Sequence, residues 1–471
     1  MKLLVSQKTA IYFVMVLLLM LISTFLLEIF NQGTVESLKI SIIVQFFSFI
    51  ALFLMLGYMN QSLITLYSVF LILFYIFQNG QLLLYAFDVN VDFLYVEKST
   101  TDQLYKGVLF SNLCMFSAFA AAIFSFKERK GWITKKLDYV SPKFLYDVSL
   151  IGLIVTGVIA YILIIIKLIV WLRGGYSLVI VFESGIPSIL GLLEALFPAF
   201  SILAIVSGVK SQSKIQLILV LFILWGMGTA LMGDRTIGLG VMVIFLLMFY
   251  FGCFSFSKRL YKGIFYIGSV TVFLLIPITF SIRNHEQFTL GSIFDVFVDV
   301  LYELGFSFFP LQAIIMLCPT THNYLLGKSL ICSAFAGFFP ESLDILGLFS
   351  GISDMASTPA HWIAARYQYG FGMDCSLNAE MYANFEMYGF LSMFVICAIV
   401  ASMLKKVDYE SNQNVFSQYI GFALLFGWFT LPRRRSYYVY NKIFWYVVVI
   451  GIFIAIMYMI SKKRGTYADR K

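Results

Sequence analysis

The chain has 471 residues, 61% of them hydrophobic and 12% charged, with a mean hydropathy of +0.89. Soluble domains carry roughly 25% charged residues, so an array of soluble domains is excluded, and the apolar residues fall in blocks of the length that crosses a ~30 Å hydrocarbon core. The formal net charge of +8 is the Lys/Arg excess that cytoplasmic loops of membrane proteins carry, and it gives no ground for a nucleic-acid partner.

The fold class read from this pattern is an all-α polytopic membrane protein with about 12 transmembrane helices; a barrel would show weak alternating segments instead. The first block, AIYFVMVLLLMLISTFLLEIF (10–30), is longer than a signal-peptide core and is followed by no small-residue cleavage pattern, so it reads as a retained span. Spans are predicted at 10–29, 38–57, 63–86, 107–126, 146–171, 187–208, 215–232, 237–255, 262–280, 388–404, 415–431 and 441–460. The basic segments KERKGWITKKLDYVSPK (127–143), VKSQSK (209–214), SKRLYK (257–262), KKVDYE (405–410) and the tail SKKRGTYADRK share a side with Lys2 and Lys8. The positive-inside rule makes that side cytoplasm, with both termini there.

The organisation expected is therefore 1–280 as spans one to nine, 281–387 as one long external loop with in-plane helices, and 388–471 as the last three spans and a cytoplasmic tail. Within 281–387, the pieces GFSFFPLQAIIMLC and SLICSAFAGFF are interrupted or closed by Pro310 and Pro340 and read as too short to cross. Ahead of them, SIFDVFVDVLYELGF places Asp295, Asp299 and Glu303 in one stripe of an otherwise apolar helix, which suits a helix lying in the interface or roofing a cavity. Cys114, Cys253 and Cys397 read as packing residues, whereas Cys318, Cys332 and Cys375 share the external loop, where a disulfide is open to them.

This topology leaves Arg173, Arg235, Arg283, Arg366, Arg433, Arg434 and Arg435 outside, against the charge rule. Arginine is suited to bidentate phosphate contacts; the alternative is snorkelling to lipid headgroups or pairing with Asp88, Asp92, Glu97, Asp102 and Glu183. In ALMGDRTIGLG (230–240), Asp234 is placed to hold Arg235 while Thr236 caps the next helix, the plain alternative being a tight turn. PITFSIRNHEQF (277–288) ends a span with Arg283, Asn284, His285 and Glu286, and His285 is a candidate general base, the plain alternative being a surface histidine. In DCSLNAEMYANFEMYGF (374–390), Ser376 is placed to cap, and Glu380, Asn384 and Tyr388 fall on one helical face. Glu194, inside LGLLEALF, needs either a raised pKa or an arginine partner. No Walker loop, HExxH, GxSxG, EF-hand loop or DxD pair is present, so no metal or cofactor is signalled.

The succession of GDR between two spans, an Arg-Asn pair ending the next, LLGKSLICSAFAGFFP in the long loop, AEMYANFEMYG opening a span and a basic cluster before the last one resembles the O-antigen and capsule repeat-unit polymerases, the Wzy-type membrane glycosyltransferases. The resemblance runs from about 180 onward; Glu386 departs from it where glycine is more usual. It implies a GT-C-like architecture in the plasma membrane with the active site facing outside. The implied substrates are polyprenyl-diphosphate oligosaccharides, and the growing glycan is transferred to a new lipid-linked unit without nucleotide sugar or metal. Arg235 and Arg283 match the diphosphate-engaging arginines, with Arg366 and Arg433 to Arg435 as further candidates. Glu380 and Asn384 match the polar helix start, and Asp234, Asn284 and Glu194 support the site. His285, Glu286, Glu341 and Glu380 compete for the base. A flippase and a chain-length regulator are the implied protein partners. The alternatives are a lipid-linked-oligosaccharide flippase or transporter, for which internal repeats would speak, and a glycan ligase, which shares the arginines.

Overall fold

The computed structural model describes residues 7–29, 34–89, 99–126, 140–208, 212–232, 235–250, 253, 293–339, 350–367, 374–410 and 415–463. Their regular structure is helical throughout. The helices are α1 (Gln7–Ile29), α2 (Val35–Asn60), α3 (Leu66–Ala86), α4 (Thr101–Ala121), α5 (Pro142–Ser184), α6 (Ser188–Ser207), α7 (Gln212–Leu231), α8 (Arg235–Tyr250), α9 (Ile293–Gly305) and α10 (Phe308–Leu317). They continue as α11 (Lys328–Phe338), α12 (Ser350–Tyr367), α13 (Leu377–Phe385), α14 (Gly389–Glu410), α15 (Val415–Thr430), α16 (Tyr437–Lys442) and, after a π-helical stretch Ile443–Val449, α17 (Ile450–Lys463). Hydroxyl caps set several starts: Thr34, Thr65, Thr100 and Ser141 each accept a hydrogen bond from an N–H of the first turn, and Thr100 with Gln103 completes a capping box.

Among the described residues, 11 helical runs are long and apolar enough to cross a membrane. The predicted spans coincide with them except at 237–255, where α8 has 16 residues, and at 262–280, which lies outside the described residues. One run, Phe297–Leu317, differs from the short in-plane pieces expected there. Pro310 falls in the first turn of α10, where a proline removes no helical hydrogen bond. It therefore opens a helix instead of closing one, and α9 and α10 together make an apolar run of 21 residues. The acidic stripe of α9 is as expected: Asp295 is exposed, Asp299 and Glu303 are half-exposed, and Val298, Val300 and Leu301 are buried.

The chain divides into two compact units. The first comprises Met1–Trp132, Ile293–Tyr409 and Trp428–Tyr438. Its helices are tied by a polar seam, the device that fixes helix contacts where lipid supplies no hydrophobic contrast. The stretch Gln78-Asn79-Gly80-Gln81 of α3 is its hub. Asn79 Oδ1 accepts from Gln45 Nε2 (3.1 Å) and Ser111 Oγ (2.9 Å), and Gln81 Nε2 donates to the Tyr302 carbonyl of α9 (2.9 Å). Lys39 and Asp88 form an ion pair in the same unit.

The second unit comprises Ile133–Ser292, Glu410–Gly427 and Val439–Lys471. Helix α5 breaks at Gly174 and at Gly175, whose φ of 70° favours glycine. An ion-pair cluster staples the break: buried Lys167 Nζ, before it, lies 2.9 Å from Oε1 of the exposed Glu183, after it, and 2.9 Å from Oε2 of the buried Glu194 on α6. The partner of Glu194 is thus a lysine inside a predicted span, where the sequence reading looked for an arginine; a buried carboxylate needs a cation nearby, and the neighbouring helix supplies one. All six cysteines are free, Cys318, Cys332 and Cys375 included, so the disulfide left open for the loop is not formed.

Candidate functional site

Two of the motifs that carry the resemblance, LLGKS and AEMYANF, pack on one another in the first unit. Ser376 caps α13 by accepting from the Ala379 N–H (3.4 Å), as its position predicts. Glu380 and Asn384, one turn apart, then face Ser333 and Ser329, one turn apart on α11. Ser333 Oγ donates to Glu380 Oε1 (3.1 Å) and Asn384 Nδ2 donates to Ser329 Oγ (2.7 Å). The chain ahead of α11 seals the far end: Leu325 N–H donates to the Ala383 carbonyl (2.9 Å) and Leu326 N–H to that of Asn384 (3.0 Å). Gly327 has φ 85°, a backbone conformation that favours glycine, and a Cβ there would sit 3.1 Å from the Phe385 ring, tighter than an ordinary contact.

The basic segment docks on this plate. After α15, a 3-10 turn, Leu431–Arg433, carries the chain into Arg434, Arg435 and Ser436. Gln78 Nε2 donates to the Pro432 carbonyl. Four residues on, Ser436 donates to Glu380 twice, from its N–H to Oε2 (2.8 Å) and from its hydroxyl to Oε1 (3.0 Å). Arg435 is buried, with Nε on Asp374 Oδ1 (2.8 Å) and a terminal nitrogen on the Ala356 carbonyl of α12 (2.9 Å). Arg433 and Arg434 lie between the pinned ends and are half-buried, the Arg434 guanidinium resting 4.5 Å over the Tyr438 ring. Each buried donor left without a partner would cost about 1–3 kcal/mol, so the contacts at 432 and 436 hold the segment in one conformation. Burial pushes the thiol of Cys375, beside this cluster, well above its ordinary range, which keeps it a neutral packing group.

The structure brings together Glu380, Asn384, Arg433, Arg434 and Arg435 among the residues singled out by sequence. Arg366 is exposed in the last turn of α12. Arg235 opens α8 in the second unit, and Glu194 belongs to the Lys167 cluster there. Asp234, Arg283, Asn284, His285, Glu286 and Glu341 lie outside the described residues. Tyr388 leaves the polar face expected for it: Glu386, at φ 54°, ends α13 two residues earlier, and Tyr388 is 72% exposed. His322 stacks flat on Trp362, ring centroids 4.3 Å apart. Sequence reasoning missed Gln78, Ser329, Ser333, Asp374 and Ser436. The two serines had a readable signal, a spacing of four that matches the spacing of Glu380 and Asn384. Gln78 had only its polarity inside an apolar span.

These features define a multi-helix membrane protein in which a basic segment is fixed on a buried polar plate. The profile of the O-antigen polysaccharide polymerase Wzy family matches residues 10–464, and the chain belongs to that family. It is a glycosyltransferase-like polymerase of lipid-linked repeat units. The match takes in the N-terminal third, which by itself shows only hydrophobic spans. No curated protein matches the chain, and no solved structure does.

Proposed function

We propose that the polymerase acts on polyprenyl-diphosphate-linked units at the outer leaflet of the plasma membrane, and that Arg433 and Arg434 hold the diphosphate of the donor. The observation that carries this is the segment 432–436, anchored at Pro432 and Ser436 with Arg433 and Arg434 between the anchors. Arg366 is a further diphosphate ligand, while Arg435, committed to Asp374 and Ala356, shapes the segment. The acceptor hydroxyl attacks the anomeric carbon of the growing glycan. The bond from that carbon to the diphosphate oxygen breaks, the electron pair leaves with the diphosphate, and a base takes the hydroxyl proton. The candidates for that base are His285, Glu286, Glu341 and Glu380. Fixed guanidinium groups stabilise the charge gathering on the leaving group without reorganising, so the reaction runs without a metal ion. Both termini face the cytoplasm, and a flippase and a chain-length regulator work beside the enzyme.

The test is Arg433→Lys and Arg434→Lys, which keep charge and lose the bidentate fork. Each lowers polymer formation at least about tenfold at unchanged membrane abundance. Near-normal polymer from both would reduce the segment to a headgroup contact.

A further inference from the structure

We propose that Glu380 is a positioning residue for the diphosphate site: its carboxylate fixes the main chain at Ser436 and so aims Arg433 and Arg434, and it takes no proton from the acceptor. The inference rests on the reading of those arginines as diphosphate ligands.

Glu380 has 0% of its surface exposed. Oε1 accepts from Ser333 Oγ (3.1 Å) and Ser436 Oγ (3.0 Å), and Oε2 accepts from the Ser436 N–H (2.8 Å). A general base needs an oxygen open to the attacking hydroxyl within about 2.6–3.2 Å. Here both oxygens are occupied by internal donors and neither reaches the surface. The donors come from two places that matter: α11, which is locked to α13 by the parallel Asn384–Ser329 bond, and the residue that follows Arg435. Gln78 holds the carbonyl at Pro432 from the other end. Glu380 is therefore one of two posts between which the arginines are strung, and Asp374, gripping Arg435, keeps the span from twisting.

Glutamine separates the possible roles. In Glu380→Gln the amide oxygen still accepts from the Ser436 N–H. The amide nitrogen donates to the two hydroxyls, which rotate to accept, whereas an amide is useless as a base. Detergent-purified full-length protein is assayed with lipid-linked repeat units for kcat, KM and pH dependence, and activity is expressed per folded molecule from its melting profile. Glu380→Ala should lower kcat/KM about tenfold or more and raise KM for the lipid-linked unit at least about threefold. Glu380→Gln should recover most of that loss with the wild-type pH profile. Three results would overturn the proposal. Glu380→Gln as inactive as Glu380→Ala while equally well folded would make Glu380 the base. Normal kinetics per folded molecule in Glu380→Ala, with only a lowered melting point, would make it purely structural. A harmless Arg433→Lys and Arg434→Lys pair would remove the diphosphate reading itself, and is seen without touching Glu380.

Discussion

Glu386 stands at φ 54°, ψ −139°, a region that glycine enters freely and other residues enter at a cost of about 1–3 kcal/mol. It is also the position at which the sequence resemblance has glycine more usually. The φ value gives that departure a physical meaning: the chain turns sharply here so that α14 can start with Gly389 against the Met381 carbonyl, to which a Cβ at Gly389 would come within 2.6 Å. Restoring glycine removes the backbone strain and adds back some unfolded-state entropy. Glu386→Gly should therefore stabilise the protein by about 1 kcal/mol, read as a rise of about 1–2 °C in the melting temperature in detergent; an unchanged or lower value would mean that the Glu386 side chain contributes more than the strain costs. At this scale much was legible beforehand. The Ser376 cap and the shared face of Glu380 and Asn384 follow from spacing alone. The loss of Tyr388 from that face does not, because a helix-ending positive φ at glutamate breaks the usual residue preferences. Arg435 reads as an external cation and is instead buried on Asp374, since a loop between two spans gives no periodicity from which burial can be inferred.

At the scale of elements, the first unit depends on two close helix contacts that no hydrophobicity profile displays. One is the pair of bonds joining α11 to α13. The other is the crossing of α3 and α9 at Gly80 and Gly305. A Cβ on Gly305 would lie 2.2 Å from Gln81 N and 2.8 Å from Gly80 Cα, and one on Gly80 would lie 2.7 Å from the Leu301 carbonyl oxygen. The obstructing atoms are backbone, so no rotamer change relieves them and the helices must part. Gly305→Ala should lower stability by about 3 kcal/mol or more and reduce the yield of monodisperse protein. Gly451→Ala, where a Cβ meets nothing within 4 Å, should be neutral or slightly stabilising. Equal stability of the two variants would show that α3 and α9 do not approach as described. The spans themselves were legible because hydropathy and length report on lipid contact. The run Phe297–Leu317 was not, because a proline in the middle of an apolar stretch reads as a break, and only the helix boundary shows that it sits in a first turn. The Lys167 staple escaped for a related reason: one lysine inside an apolar block does not lower its hydropathy enough to be noticed.

For the whole molecule, the central claim is that a polymerase can draw both its driving force and its electrostatics from what is already present. In the function proposed above, the donor would carry a diphosphate leaving group and the fixed arginines would do the work a divalent ion does elsewhere. The most direct measurement uses the purified full-length protein in detergent, given only authentic lipid-linked repeat units and EDTA, with products resolved by glycan length. A ladder of longer glycans on lipid that EDTA does not diminish is expected, with single units alone from the Arg433→Lys, Arg434→Lys double variant. A well-folded protein that yields no ladder until a divalent ion or a nucleotide is supplied, or a double variant that polymerises as well as the parent, would contradict the claim.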